Sequence, residues 1–134
     1  MRESLTAFAA SFGTLLALDA IWLTLVMGPV FQRTLGPLLA ENVNYVAAAV
    51  FYLIYAVGIV FFAVRPALES GNVRDALLHG AALGFLAYAT YDLTNMATLK
   101  LWPLRLAMID IAWGAAVTAA AASAGAWLAL RLER

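Results

Sequence analysis

Three aspartates stand in stretches of sequence that otherwise hold mostly apolar side chains: Asp19 in ALDAIWL, Asp92 in YATYDLTNM and Asp110 in AMIDIAWG. A charged residue within hydrocarbon costs about 2.5–3.5 kcal/mol on insertion scales, so such residues turn inward and tend to mark a function. Each has aromatic company at helical spacing, where residues three, four and seven apart share a face. Asp19 is followed by Trp22, Asp110 by Trp113 and Gly114, and Gly84, Tyr88, Tyr91, Asp92 and Asn95 form one stripe. Tyr45, Tyr52 and Tyr55 align on a further segment that carries no acid. Carboxylates and aromatic rings facing one another between helices are the usual form of a small-molecule pocket. Crowded carboxylates cannot all ionise cheaply, which suits the set to proton exchange or general acid–base work. The plainer reading is interhelical hydrogen bonding, worth only ~0.6 kcal/mol per pair. Three buried acids are an expensive route to so small a gain, which favours a ligand, proton or substrate site.

The elements that carry these residues follow from composition. Of 134 residues, 65% are hydrophobic and 12% charged, and the mean hydropathy is +0.88, whereas soluble domains are nearer 45–50% and about 25%. Apolar runs near residues 5–28, 44–64, 76–98 and 104–130 each supply the ~20 residues needed to cross a bilayer. The chain is therefore expected to be an all-α integral membrane protein, a four-transmembrane-helix bundle forming one membrane domain over 1–134. Turn chemistry marks the breaks at Gly28-Pro29 and Gly36-Pro37, at Arg65-Pro66 and Ser70-Gly71-Asn72, and at Trp102-Pro103. A short interfacial helix is expected around Leu35–Ala40, Asn72 or a neighbour as a helix N-cap, and Pro103 in a first helical turn. Asp19 lies nine residues before Gly28, Asp92 eight before Lys100 and Asp110 seven after Pro103. At ~1.5 Å per residue this puts all three roughly 10–14 Å below the same face of the membrane. Tyr52 and Tyr55 fall at the corresponding level of the second helix. Small residues at four-residue spacing, Ala9/Gly13/Ala17, Gly80/Gly84 and Gly114/Thr118/Ala122, are expected to form the packing seams or a homo-oligomer contact.

Eight basic and eight acidic residues give zero net charge, so no basic field exists for nucleic acid. The absence of cysteine and the single histidine, His79, exclude thiolate chemistry and multi-histidine metal sites, and His79 itself reads as an interface residue. No glycine-rich strand–turn–helix fingerprint for a nicotinamide, flavin or nucleotide is present, and no cofactor is expected. Lys100, the only lysine, lies near a helix end, which argues against a retinal-type Schiff base. Arg33, Lys100 and Arg105 are placed to hold lipid phosphates, while Trp22, Trp102 and Trp127 read as candidates for the interfacial belt. The termini and second connection hold Arg2, Arg65, Arg74, Arg131 and Arg134, against Arg33, Lys100 and Arg105 on the first and third connections. That asymmetry predicts cytoplasmic termini.

The strings LDAIWL, RPAL, YATYDLTNMATLKLWPLRL and DIAWG, taken together, resemble a family of small, four-helix bacterial inner-membrane proteins of unknown function. The likeness covers essentially the whole chain. It implies a bacterial inner-membrane location and recurring polar positions at Asp19, Trp22, Tyr91, Asp92, Thr94, Asn95, Thr98, Trp102, Asp110 and Trp113. It implies no reaction. Three function classes fit the residues. The favoured one is a binding or transport protein whose layer, Asp19, Trp22, Tyr52, Tyr55, Tyr88, Tyr91, Asp92, Asn95, Asp110 and Trp113, holds a lipophilic or cationic small molecule. The others are a lipid- or isoprenoid-modifying enzyme with Asp92 or Asp110 as acid–base, and an accessory or assembly protein without chemistry.

Overall fold

In the computed structural model, which describes residues 1–133, the chain is a bundle of four long helices, with no strand among the described residues. Helix α1 runs Arg2–Leu38, α2 Tyr45–Ser70, α3 Val73–Thr98 and α4 Leu104–Leu132. By length and composition α1, α2 and α4 can each cross a membrane. Helix α3, at 26 residues, is about 39 Å long at the standard helical rise. It carries Arg74, Asp75, His79, Asp92 and Asn95, which lower its hydropathy. The outward surface is apolar: Ile21, Leu25, Val46, Ile54, Phe62 and Leu86 are each more than half exposed, as suits a protein bathed in hydrocarbon rather than water.

Helix α4 is the hub, packing along α3 and along α1. Close approach is made possible by glycine. A Cβ at Gly84 would collide with the Gly114 carbonyl and with Thr118, and one at Gly80 would come within 2.9 Å of the Ala119 Cα and the Thr118 carbonyl oxygen. Small residues at these crossings give the backbone contact that association within lipid requires. On α1 the inward stripe is Ala7, Ser11, Leu15 and Asp19, with Ser11 and Ala7 seated against Gly125. The expected Ala9/Gly13/Ala17 seam is instead exposed, and a Cβ at Gly13 would meet nothing. Both stripes have four-residue spacing, but only one ends on a carboxylate that hydrocarbon disfavours.

Two expected breaks are continuous helix. At Gly28-Pro29 and Arg65-Pro66 the chain widens by one residue per turn, with Gly28 N–H bonding the Leu23 carbonyl and Arg65 N–H the Val60 carbonyl. Proline lacks the N–H that would bond the carbonyl four residues back, and its ring presses on that carbonyl. The wider π-type turn accommodates the ring without ending the helix. Hence α1 reaches past residue 28 and closes with a tight turn at Gly36–Leu38, which replaces the separate interfacial helix expected there, and α2 reaches Ser70. The break at Ser70-Gly71-Asn72 stands as expected. Gly71 adopts φ +70°, the left-handed conformation that glycine provides at helix ends, and the Asn72 side chain caps α3 by accepting from Arg74 N at 3.0 Å. Pro103 precedes the first turn of α4 in an extended conformation.

Candidate functional site

The three aspartates are among the few buried polar side chains: Asp92 is fully buried and Asp19 and Asp110 are each 7% exposed. They reach the interior because each sits on the stripe its helix turns toward α4 or α3: Asp19 one turn after Leu15, Asp110 one turn before Gly114, and Asp92 two turns after Gly84. Asp19 joins three helices. Tyr52 Oη on α2 donates to its Oδ2, and Trp113 Nε1 on α4 donates to its Oδ1 at 3.1 Å. The Trp113 ring stacks on Trp22 with centroids 4.3 Å apart and planes 1° from parallel. Below this, Tyr55 Oη and Thr118 Oγ1 are hydrogen-bonded at 2.6 Å.

Asp92 takes its donor from outside the helices. Trp102, in the α3–α4 connection, folds back so that its Nε1 donates to Asp92 Oδ1 at 3.2 Å. The second oxygen, Oδ2, is buried without a donor. Asp110 on α4 is an electrostatic neighbour of Asp92 on α3, and two crowded negative charges repel unless a proton or a cation relieves the repulsion. Four donors of the site are engaged elsewhere, Tyr52 and Trp113 on Asp19, Trp102 on Asp92 and Tyr55 on Thr118, while the Trp22 indole Nε1 is buried without an acceptor. Asp110 is left without a donor.

Beside these groups lies a cavity of about 360 Å³ lined by all four helices. Asp19, Trp22, Leu23 and Phe31 come from α1, Phe51, Tyr52 and Tyr55 from α2, Ala87, Tyr88 and Tyr91 from α3, and Asp110 from α4. Tyr88 is seated on Gly114, where a Cβ would collide with its ring. Two of the acids, Asp19 and Asp110, thus line one space. Among the described residues no group of three acids or histidines is close enough to hold a metal ion.

Of the residues singled out by sequence, Asp92, Asn95 and Trp113 do not line the cavity, and Trp113 is tied to it by its bond to Asp19. Tyr45, aligned with Tyr52 and Tyr55 by spacing, is 78% exposed and outside the site, because its place at the first residue of α2 leaves it beyond the packed part of the bundle. Trp22 and Trp102 turn inward, one lining the cavity and the other donating to Asp92. Trp127 does face outward, with Arg131 over its ring at 5.1 Å. Spacing gave no reason to choose Leu23, Phe31, Phe51 or Ala87, whose apolar character is common to the whole chain. Arg33, Lys100 and Arg105 are exposed and make no ion pair with the acids; among the described residues the ion pair is Arg65–Glu69 at 3.9 Å. His79 is exposed and bonds the Asp75 carbonyl oxygen through Nδ1.

The sequence profile of the family described as "Predicted membrane protein (DUF2177)" matches residues 4–127. No match was found among curated proteins or solved structures. The chain belongs to that membrane protein family, and the match spans every residue of the site.

Proposed function

Starting from that membership, we propose that the protein is a bacterial inner-membrane binding or transport protein whose intramembrane carboxylate and aromatic cavity takes a lipophilic or cationic small molecule. The observation that carries this reading is the 360 Å³ cavity to which all four helices contribute. Its size falls in the range of small-molecule pockets, ~300–1,000 Å³, and buried acids within a bundle are costly unless used. Simple interhelical bonding accounts for Asp19, whose two oxygens are satisfied, but not for Asp110, which faces the cavity without a donor. In this reading all four helices cross the membrane, both termini are cytoplasmic, and Arg33, Lys100 and Arg105 hold lipid phosphates on the far side. The absence of a nucleotide or metal fingerprint gives the enzyme alternative no reacting group beyond the acids themselves. Native mass spectrometry of the protein released from lipid nanodiscs tests the proposal. A stoichiometric small molecule that is lost in Asp110→Asn supports it. A protein that carries no small molecule, and that co-purifies with a defined second protein instead, refutes it in favour of an assembly role.

A further inference from the structure

We propose that the cavity is filled sideways, from the hydrocarbon, and that its occupant is a single-chain amphiphile with an ammonium head; this rests on the binding reading above and names its ligand class and route. The route follows from where the cavity is closed. On the side of the α1–α2 and α3–α4 connections, the part of α1 beyond Pro29 packs against the α3–α4 connection and the start of α4. Phe31 packs on Trp102 at 6.2 Å, and Met27, Leu35 and Leu106 are buried beneath. Toward the termini, the tight α3–α4 crossing at Gly80 and Gly84 leaves no passage between those helices. Laterally the case is different. Helix α2 meets α3 mainly through Val60–Ser70, so the Tyr45–Ile59 half stands away from it. At that gap the lining residues Phe51 and Tyr91 are about half exposed, 49% and 53%. A solute dissolved in lipid meets an opening flanked by two rings, whereas a solute in water meets a lid.

The head group follows from the lining charge. The polar lining consists of acids and aromatic hydroxyls and indole, with no lysine or arginine. Asp110, 7% exposed and turned to the cavity, is not served by the site's own donors, and Oδ2 of its neighbour Asp92 has none. An anionic head is repelled here and a neutral one leaves the carboxylate uncompensated. A cation meets the carboxylate directly, and the faces of Trp22, Tyr52, Tyr55 and Tyr88 add the ring-quadrupole attraction by which aromatic cages hold ammonium groups. The volume, near the small end of ligand pockets, accommodates a head and the start of one chain, the remainder passing between Phe51 and Tyr91 into the bilayer.

The test uses the full-length protein in dodecyl maltoside with three probes: dodecyltrimethylammonium, tetramethylammonium and dodecanol. Binding is followed by tryptophan fluorescence, which Trp22 and Trp113 report, and by native mass spectrometry. The expected result is one dodecyltrimethylammonium per chain. Tetramethylammonium and dodecanol should each bind at least about tenfold more weakly, and Asp110→Asn should lower the affinity for dodecyltrimethylammonium by a similar factor, about 1.4 kcal/mol. Tyr91→Ala, at the exposed mouth and away from the tight helix crossings, should weaken the same probe several-fold, which keeps the test decisive if Asp110→Asn unfolds. Tetramethylammonium binding equal to the long-chain probe overturns the lateral route, and dodecanol binding equal to it overturns the ammonium head. A co-purifying molecule of other chemistry, with the ammonium probes inert, overturns this inference but leaves the binding reading standing. An empty protein that binds none of the three overturns both.

Discussion

Gly114→Ala couples the packing of the bundle to the shape of its cavity. A Cβ at Gly114 would meet the ring of Tyr88, with Cδ2 2.5 Å away and Cγ and Cδ1 nearer still. Carbon atoms rest at ~3.5–4.0 Å, so the ring must retreat by about 1–1.5 Å. It cannot do so freely. Tyr55 stands beside it, with ring centroids 6.3 Å apart, and the ring itself forms part of the cavity wall. Overpacking of this kind costs about 1–3 kcal/mol, and replacing glycine by alanine within a helix returns about 0.5–1 kcal/mol. A net loss of up to about 2.5 kcal/mol is expected, together with a narrower cavity and reduced ligand retention. Gly13→Ala is the control, since its Cβ would meet nothing within 4 Å on the exposed face of α1. There only the propensity gain remains, so the two variants should move stability in opposite directions. Reversible unfolding in mixed micelles of dodecyl maltoside and SDS, followed by far-UV circular dichroism, measures both. Gly114→Ala as stable as Gly13→Ala would refute the seating of Tyr88 on Gly114, and with it the α3–α4 packing described above.

Asp92→Asn keeps the size and most of the hydrogen-bonding capacity of the carboxyl group while removing its charge and exchangeable proton. It should change thermal stability by no more than ~1 kcal/mol yet abolish retention of the bound small molecule; unfolding in detergent, or undiminished retention, would show the acid to be structural. Trp102→Phe deletes the donor to Asp92 Oδ1 and should cost ~0.6–1.7 kcal/mol, the range of measured hydrogen bonds within helix bundles in lipid; no loss in micelle unfolding counts against the folded-back indole. A Tyr55→Phe, Thr118→Val double-mutant cycle should give a coupling of similar size from the 2.6 Å bond between them, and additive single-variant effects would remove that bond from the account. Reporter fusions at the C-terminus and within residues 39–44 should report cytoplasmic and periplasmic locations respectively, and a periplasmic C-terminus would overturn the orientation.

The amino-acid sequence by itself determined the helical membrane class and the set of polar residues that turn inward, because both depend on solvent and local spacing. Hydrocarbon disfavours the carboxylates of Asp19, Asp92 and Asp110 wherever their helices lie, so their burial needed no knowledge of neighbours. The choice between the two small-residue stripes of α1 was also legible, since Ala7, Ser11 and Leu15 precede Asp19 at steps of four while Ala9, Gly13 and Ala17 lead to no polar residue. Proline was less informative. Gly28-Pro29 and Arg65-Pro66 are as compatible with a widened turn as with a helix end, and the packing of Phe31 and Leu35 against the α3–α4 connection and the start of α4 and of Ala67 within the bundle selects continuation. The same holds for Trp22 and Trp102. An indole near a helix end can face the lipid interface or donate to a buried acid, and only the position of Asp92 ten residues earlier on a neighbouring helix decides for Trp102. The cavity is a property of tertiary structure alone, because it is the space left where α2 stands away from α3, and the angle at which two helices part depends on every contact along both.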